Sequence, residues 1–305
     1  MAEKQRINWI DIAKGIAIIL MVLGHSSIPN SLALWIWSFH MPLFFFASGM
    51  CTNFENDNLK QFINKKGIGI IRPFLIYSTI VLLLGWIFNI DLRFSFSSGL
   101  GGYALWFIPV LFVALILARI YFCIKQQVFK IVYIAILPIS SYMLSYYHIG
   151  LPWNMAVTPF AAFLILLAYR FRANILNLCN LKYYWLIPIL AISIIISQCW
   201  RLDMCFNITI PMLQLTIGAI AGSLIIARFS ILIDNNTKWL SKCLMVIGQE
   251  TFIIVAFSQI IVMSINTFLG INAILKYMLL VLLLFVLAYL KNIFVKCFKV
   301  YFLQI

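Results

Sequence analysis

An all-α polytopic membrane bundle of about ten spans, with both termini cytoplasmic, is the fold this sequence predicts, on three observations. The first is composition. Of 305 residues, 64% are hydrophobic and 10% charged, with a mean hydropathy of +1.05, and a soluble domain of this make-up would have an apolar surface. The second is recurrence: apolar stretches follow one another along the whole chain, each about 20 residues and able to cross roughly 30 Å of hydrocarbon. A transmembrane barrel calls for segments of about 10 residues with alternating polarity, and none is found. The third is charge placement. With the N-terminus inside, 18 of the 22 Lys and Arg residues fall in inside segments. Only Arg93, Arg201 and Lys276 fall outside, with Lys14 inside a span. That asymmetry is the positive-inside signature.

The spans are justified in order. The first, 8–27, is too long, too charged and too lacking in a small-residue cleavage site to be a signal peptide. The second, 32–51, holds His40 and Pro42; the third, 73–90, follows the basic "KKGIGIIRPF". The fourth, 103–122, opens on "YALWFIPVLF", and "YYHIGLPWN" separates the fifth and sixth, 129–147 and 153–169. Spans 184–200 and 208–227 flank "WRLDM"; 245–265 begins at "IGQETF", and 273–294 closes the set. No soluble domain, linker or repeat interrupts them, so 1–305 reads as one membrane domain.

The net charge of +14 mostly expresses this topology. The basic residues are dispersed over short loops rather than gathered on one face, which excludes a nucleic-acid partner. Cys51, Cys123, Cys179, Cys243 and Cys297 lie at inside ends, where a reducing cytosol keeps thiols reduced. Cys199 and Cys205 fall outside and are spaced to allow a small disulfide. No Cys/His spacing resembles a metal site.

Polar residues within apolar spans require a reason. Asp11 and Lys14 are neighbours on one helical face. Lys14 and His25 are eleven residues apart, close to three turns, so the same stripe carries a cation at one end and an imidazole about 16 Å away. One reading is an ion pair that locks helices together; the other is a site facing the bundle interior. His40 lies on the next span, after the short loop "SIPNS", beside a proline that frees a backbone carbonyl. The two histidines are therefore expected to meet in the outer half, where imidazoles suit general acid–base chemistry. His148 reads as an external loop residue. Arg72 reads as an inside anchor or as a clamp for phosphate or carboxylate. Trp106, Phe107 and Pro109 read as interfacial residues, and Glu250 as an acid at a helix N-terminus. There is no GxSxG elbow, P-loop or HExxH motif.

"RINWIDIAKGIAIILMVLGHS" followed by "WSFHMPLFFFASGM" resembles the opening of acyltransferase family 3, in its sugar or polysaccharide O-acetyltransferase branch. "RPFLIYS", "LWFIPVLF" and "IGQETFIIVAF" follow in the expected order. The resemblance implies ten core helices in the plasma (inner) membrane and acetyl-CoA as cytoplasmic donor, with no metal. The implied acceptor is a hydroxyl of an envelope glycan or lipid-linked sugar. The family's basic residue–x10–His signature falls on Lys14 and His25, and its second histidine on His40. Its arginine pair is half kept, with Gly69 at the first position and Arg72 at the second, and Ser258 stands where a histidine is frequent. The implied roles are His25 as base or transient acyl carrier, His40 as proton partner or oxyanion donor, and Asp11 as an ordering group. Lys14, Arg72 and Trp106 are the donor-binding candidates. A small secondary transporter and a decayed scaffold in glycan synthesis are the alternative readings.

Overall fold

The computed structural model of the protein describes residues 7–25, 28–89, 103–179, 182–268 and 273–302; Lys4, Arg6 and Arg93 of the charge pattern lie outside them. Among these residues the chain is helical, apart from an isolated antiparallel bridge between Asp203 and Ile208. Helix α1 (Asn8–Gly24) ends where His25 leaves helical geometry, with the His25 N–H reaching back to the Met21 and Val22 carbonyls. Pro29 sets an extended entry to α2 (Asn30–Cys51). Inside α2, Pro42 has no N–H to give the Ser38 carbonyl. A reciprocal cap between Asn58 and Gln61 starts α3 (Leu59–Lys66). A π-helical turn, Gly67–Ile71, joins it to α4 (Arg72–Ile87), giving one long rod. Then come α5 (Phe107–Cys123), α6 (Gln127–Tyr146), α7 (Thr158–Cys179), α8 (Leu186–Cys199) and α9 (Met212–Asn236). The last three are α10 (Lys238–Gln249), α11 (Thr251–Phe268) and α12 (Ala273–Phe302).

Among the described residues, six helical segments are long and apolar enough to cross a membrane. They are Asn30–Cys51, Leu59–Ile87, Ala104–Cys123, Gln127–Tyr146, Pro152–Asn174 and Met212–Asn236. A seventh results if α10 and α11, which bend by 70° about Glu250, form one broken span. The other expected spans coincide with α1, α8 and α12, but α1 and α8 run for only 17 and 14 residues. At 1.5 Å per residue, α1 is about 25 Å long, short of a full hydrocarbon crossing. Arg119, expected in an inside segment, is buried within α5 and donates from Nη2 to the Asp57 carbonyl at 2.7 Å.

Helix α1 packs on α2, α9 and α10, and α2 packs in turn on α7 and α9. Ile12 and Ile18 of α1, Ile36, Phe39 and Phe45 of α2, and Phe160 and Leu164 of α7 are fully buried. The periphery is the reverse: Leu83 and Trp86 of α4 and Ile131 and Ile136 of α6 are exposed. An outward apolar face on peripheral helices is what hydrocarbon surroundings require. Lipid tails are as apolar as Leu, so helices in a membrane associate through close van der Waals contact at small residues. The α1–α10 crossing shows it at its limit. A Cβ on Gly15 would land inside the Leu244 carbonyl, and one on Gly248 inside the Asp11 carbonyl.

Gly248→Ala is therefore expected to force the two backbones apart and to destabilise the fold by about 1–3 kcal/mol, the usual cost of overpacking. Gly69→Ala, whose Cβ would meet nothing within 4 Å, is expected to leave the thermal midpoint in detergent unchanged. Equal midpoints for the two variants would contradict the crossing.

Candidate functional site

Two clusters of polar side chains mark the two ends of α1. At its C-terminal end, His25 is exposed and His40 of α2 is buried. Both line one cavity of about 360 Å³, together with Trp37, Trp106 and Phe107. The 3-10 turn Tyr103–Trp106 that precedes α5 brings Trp106 to this wall, where it is buried. His40 Nδ1 lies 2.9 Å from the Ile36 carbonyl. A carbonyl can only accept, so Nδ1 carries the proton and Nε2 of the neutral ring keeps its lone pair. The helix that carries His40 thus also fixes its tautomer.

The same cavity holds groups that sequence reasoning did not single out. The segment between α8 and α9 folds over it as a small hairpin, held by paired Asp203–Ile208 main-chain bonds of 3.0 and 2.9 Å. Asp203 accepts from Arg201 Nη2 at 2.6 Å through Oδ2, and from the Cys205 and Phe206 N–H groups at 3.2 and 3.4 Å through Oδ1. It shares the cavity with His25 and is close enough to act on it electrostatically. The Arg201 guanidinium sits 5.4 Å from the centre of the Trp37 ring, within cation–π range. The signal was present in "WRLDM", an Arg-x-Asp pair in an outer segment of a chain with few charges. Cys199 and Cys205, whose spacing allows a disulfide, are both free thiols. Burial, reinforced by the Asp203 carboxylate, pushes the Cys205 thiol up to about 12.

At the N-terminal end of α1, Lys14 Nζ meets Asp11 Oδ1 at 2.7 Å. Asp11 is buried, and its Oδ2 accepts from Gln249 Nε2 at 3.3 Å. Gln249 comes from the last turn of α10, next to the Gly248 crossing, and sequence reasoning missed it. Glu250, read from sequence as a helix N-terminal acid, pairs with Lys291 of α12, whose ammonium lies 5.9 Å from the Tyr77 ring centre. Arg72 is exposed at the start of α4, directly after the π turn. The sequence-derived residues thus fall into groups. His25, His40 and Trp106 share one cavity; Asp11 and Lys14 form a pair at the far end of α1. Arg72 stands apart on α4, and Trp106 lines a different region from the other two donor-binding candidates. Ser258 of α11 is buried and its hydroxyl donates to the Val255 carbonyl at 3.3 Å, so its hydrogen bond stays within its own helix.

A family model described as an acyltransferase domain matches residues 7–293. Neither a curated protein sequence nor a solved structure matches the chain.

Because the thiolate is the reactive form, Cys205 is expected to resist maleimide at neutral pH while the exposed Cys199 reacts, as peptide mass spectrometry will show. Asp203→Asn removes a charge that holds the Cys205 thiol protonated, so labelling of Cys205 should accelerate in that variant. Equal rates at Cys199 and Cys205 in the unaltered protein would contradict the burial of Cys205.

Proposed function

The chain belongs to acyltransferase family 3, and from that premise we propose that it transfers an acetyl group from cytoplasmic acetyl-CoA to a hydroxyl of a cell-envelope sugar or polysaccharide. It is a helical membrane protein and an acyltransferase. In this reading residues 1–305 form one transferase domain of ten spans in the plasma (inner) membrane. Both termini and the Asp11 end face the cytoplasm, and the His25 end faces the envelope. The observation that carries the reading is the meeting of His25 and His40 in one cavity, at the opposite end of α1 from Lys14.

Acyl transfer from a thioester needs a base for the incoming hydroxyl and stabilisation of the developing oxyanion. His25 takes the hydroxyl proton as the sugar oxygen attacks the acetyl carbon; the C–S bond breaks and CoA leaves as its thiolate, which then takes up a proton. Alternatively a His25 nitrogen accepts the acetyl group first and passes it to the sugar, which divides one step into two. His40, with Nδ1 engaged by the Ile36 carbonyl, receives a proton at Nε2 while neutral. It can donate to an oxyanion from that nitrogen only after protonation, which favours a role as proton partner to His25. The Asp203 carboxylate stabilises the positive charge that His25 acquires. In this reading Lys14, held by Asp11 and Gln249, receives the phosphates of the donor, and Arg72, apart on α4, is a second donor contact. Trp106 serves the acetyl-accepting cavity rather than the CoA end.

His25→Ala should lower transfer from labelled acetyl-CoA to envelope glycan by about 10²–10⁴-fold, the range for loss of a general base, with insertion and expression unchanged. Wild-type transfer by that variant would overturn the assignment. Lys14→Arg should preserve activity. Lys14→Met should raise KM for acetyl-CoA more than it lowers kcat, as expected for lost binding that is uniform along the reaction.

The orientation has its own test. Reporter fusions after residue 305 and before residue 1 should both report the cytoplasm, and a fusion within 203–207 the opposite face. A single terminus outside would refute the ten-span topology.

A further inference from the structure

Of the two members of the Arg201–Asp203 pair over the histidine cavity, Asp203 is anchored by more than its partner. Its main chain exchanges bonds of 3.0 and 2.9 Å with Ile208, and its Oδ1 accepts from the Cys205 and Phe206 N–H groups. The residues on either side of it, Leu202 and Met204, are buried. The hairpin therefore has main-chain and core contacts enough to place this carboxylate.

Arg201 is held from outside the hairpin. Its guanidinium lies 5.4 Å from the ring centre of Trp37 on α2, within cation–π range. That indole is packed against the end of α1 next to His25: a Cβ on Gly24 would come 3.1 Å from Trp37 Nε1. From this perch Arg201 Nη2 meets Asp203 Oδ2 at 2.6 Å. About half of the Arg201 side chain is exposed, against 14% for Asp203, so the carboxylate faces inward and the guanidinium caps it.

The charged and titratable groups of the cavity are His25, His40, Arg201, Asp203 and Cys205; α5, α11 and the turn before α5 bring only uncharged side chains. Asp203 acts electrostatically on both His25 and Cys205. A lone carboxylate beside an imidazole favours its protonated form, and a protonated imidazole can neither take a proton nor accept an acyl group. A carboxylate paired with a guanidinium presents a dipole, whose field falls off faster than that of a single charge.

We infer that Arg201 is a positioning residue of the transfer reaction: clamped on Trp37, it tempers the charge that Asp203 presents to His25. This rests on the acetyl-transfer reading. An uncapped Asp203 would hold His25 protonated at rest, and a missing one would leave its transient positive charge unsupported. The pair leaves the ring free to react while keeping a carboxylate at hand.

The test compares Arg201→Gln, Arg201→Lys and Asp203→Asn in membranes bearing the full-length protein. Transfer from labelled acetyl-CoA to the host's envelope polysaccharide is followed across pH, and maleimide labelling of Cys205 is followed at alkaline pH. With the guanidinium gone, His25 becomes neutral only at higher pH, so the acid limb of kcat/KM should rise by about one pH unit in Arg201→Gln. Arg201→Lys keeps the cation and should leave the limb in place, while Asp203→Asn should lower it. Cys205 senses the same carboxylate without any reaction. Its labelling should slow severalfold in Arg201→Gln, whereas a hairpin merely loosened by the substitution would expose the thiol and speed it. A limb that stays or falls in Arg201→Gln, or Cys205 labelling that does not slow, overturns the inference and leaves the acetyl-transfer reading standing. No label on the polysaccharide with the unaltered protein defeats that reading, and the inference with it.

Discussion

The backbone contact between α1 and α10 is the constraint on which the site depends. Gly15 and Gly248 let the two helices touch main chain to main chain, with the Asp11 and Leu244 carbonyls lying where side chains would otherwise begin. In hydrocarbon no solvent force presses two apolar helices together, so such close packing supplies the attraction. Its consequences reach both ends of α1. Because the Asp11 carbonyl abuts Gly248, the Asp11 carboxylate falls beside Gln249, the next residue of α10, and Lys14 is drawn to the same carboxylate. Because α1 is unbroken from Asn8 to Gly24, fixing one end fixes His25 at the other.

The Asp11–Lys14 pair carries an energetic obligation that explains its neighbours. Moving a carboxylate out of water is costly, and a buried pair repays that only when its remaining lone pairs are also satisfied. Gln249 supplies the second donor to Asp11, while Lys14, with a quarter of its side chain exposed, keeps contact with the polar surroundings. The lock is therefore compatible with the role proposed for Lys14. The pair ties α1 to α10 and at the same time leaves an ammonium partly open at that end.

Much of this was legible in the sequence, for definite reasons. Spans show themselves because an apolar run of given length has one way to cross hydrocarbon, and His25 and His40 meet because the loop between their helices is short. What was not legible depends on distance along the chain or on backbone breaks. Asp203 joins His25 from about 180 residues away, through a hairpin that no periodicity announces. Gln249 reaches Asp11 only because of a glycine crossing. Trp106 was read at the start of the fourth span and sits directly before α5, but its grouping with Lys14 and Arg72 came from the family pattern, and the 3-10 turn delivers it to the histidines instead. Hydropathy also counts apolar residues without seeing where a helix ends. It therefore reads spans across α1 and α8 that are longer than the helices, and it passes over the 70° bend at Glu250.

One face of α1 between its two polar ends is dry. Between Lys14 and His25, Ile18, Ile19 and Val22 face Ile247, Ile254, Val281 and Leu284 around a void of about 10 Å³. A water needs at least roughly 10–15 Å³ and two to four polar partners; this void barely reaches that volume and its walls provide none of the partners. On this face α1 therefore offers neither water nor protons a path between its two polar ends. Under the proposed acetyl transfer, a donor arm reaching His25 from the Lys14 end would have to follow another face of α1, where Trp9, Ile10 and Ala13 line an apolar cavity of about 380 Å³ with Leu43, Phe46 and Met50 of α2.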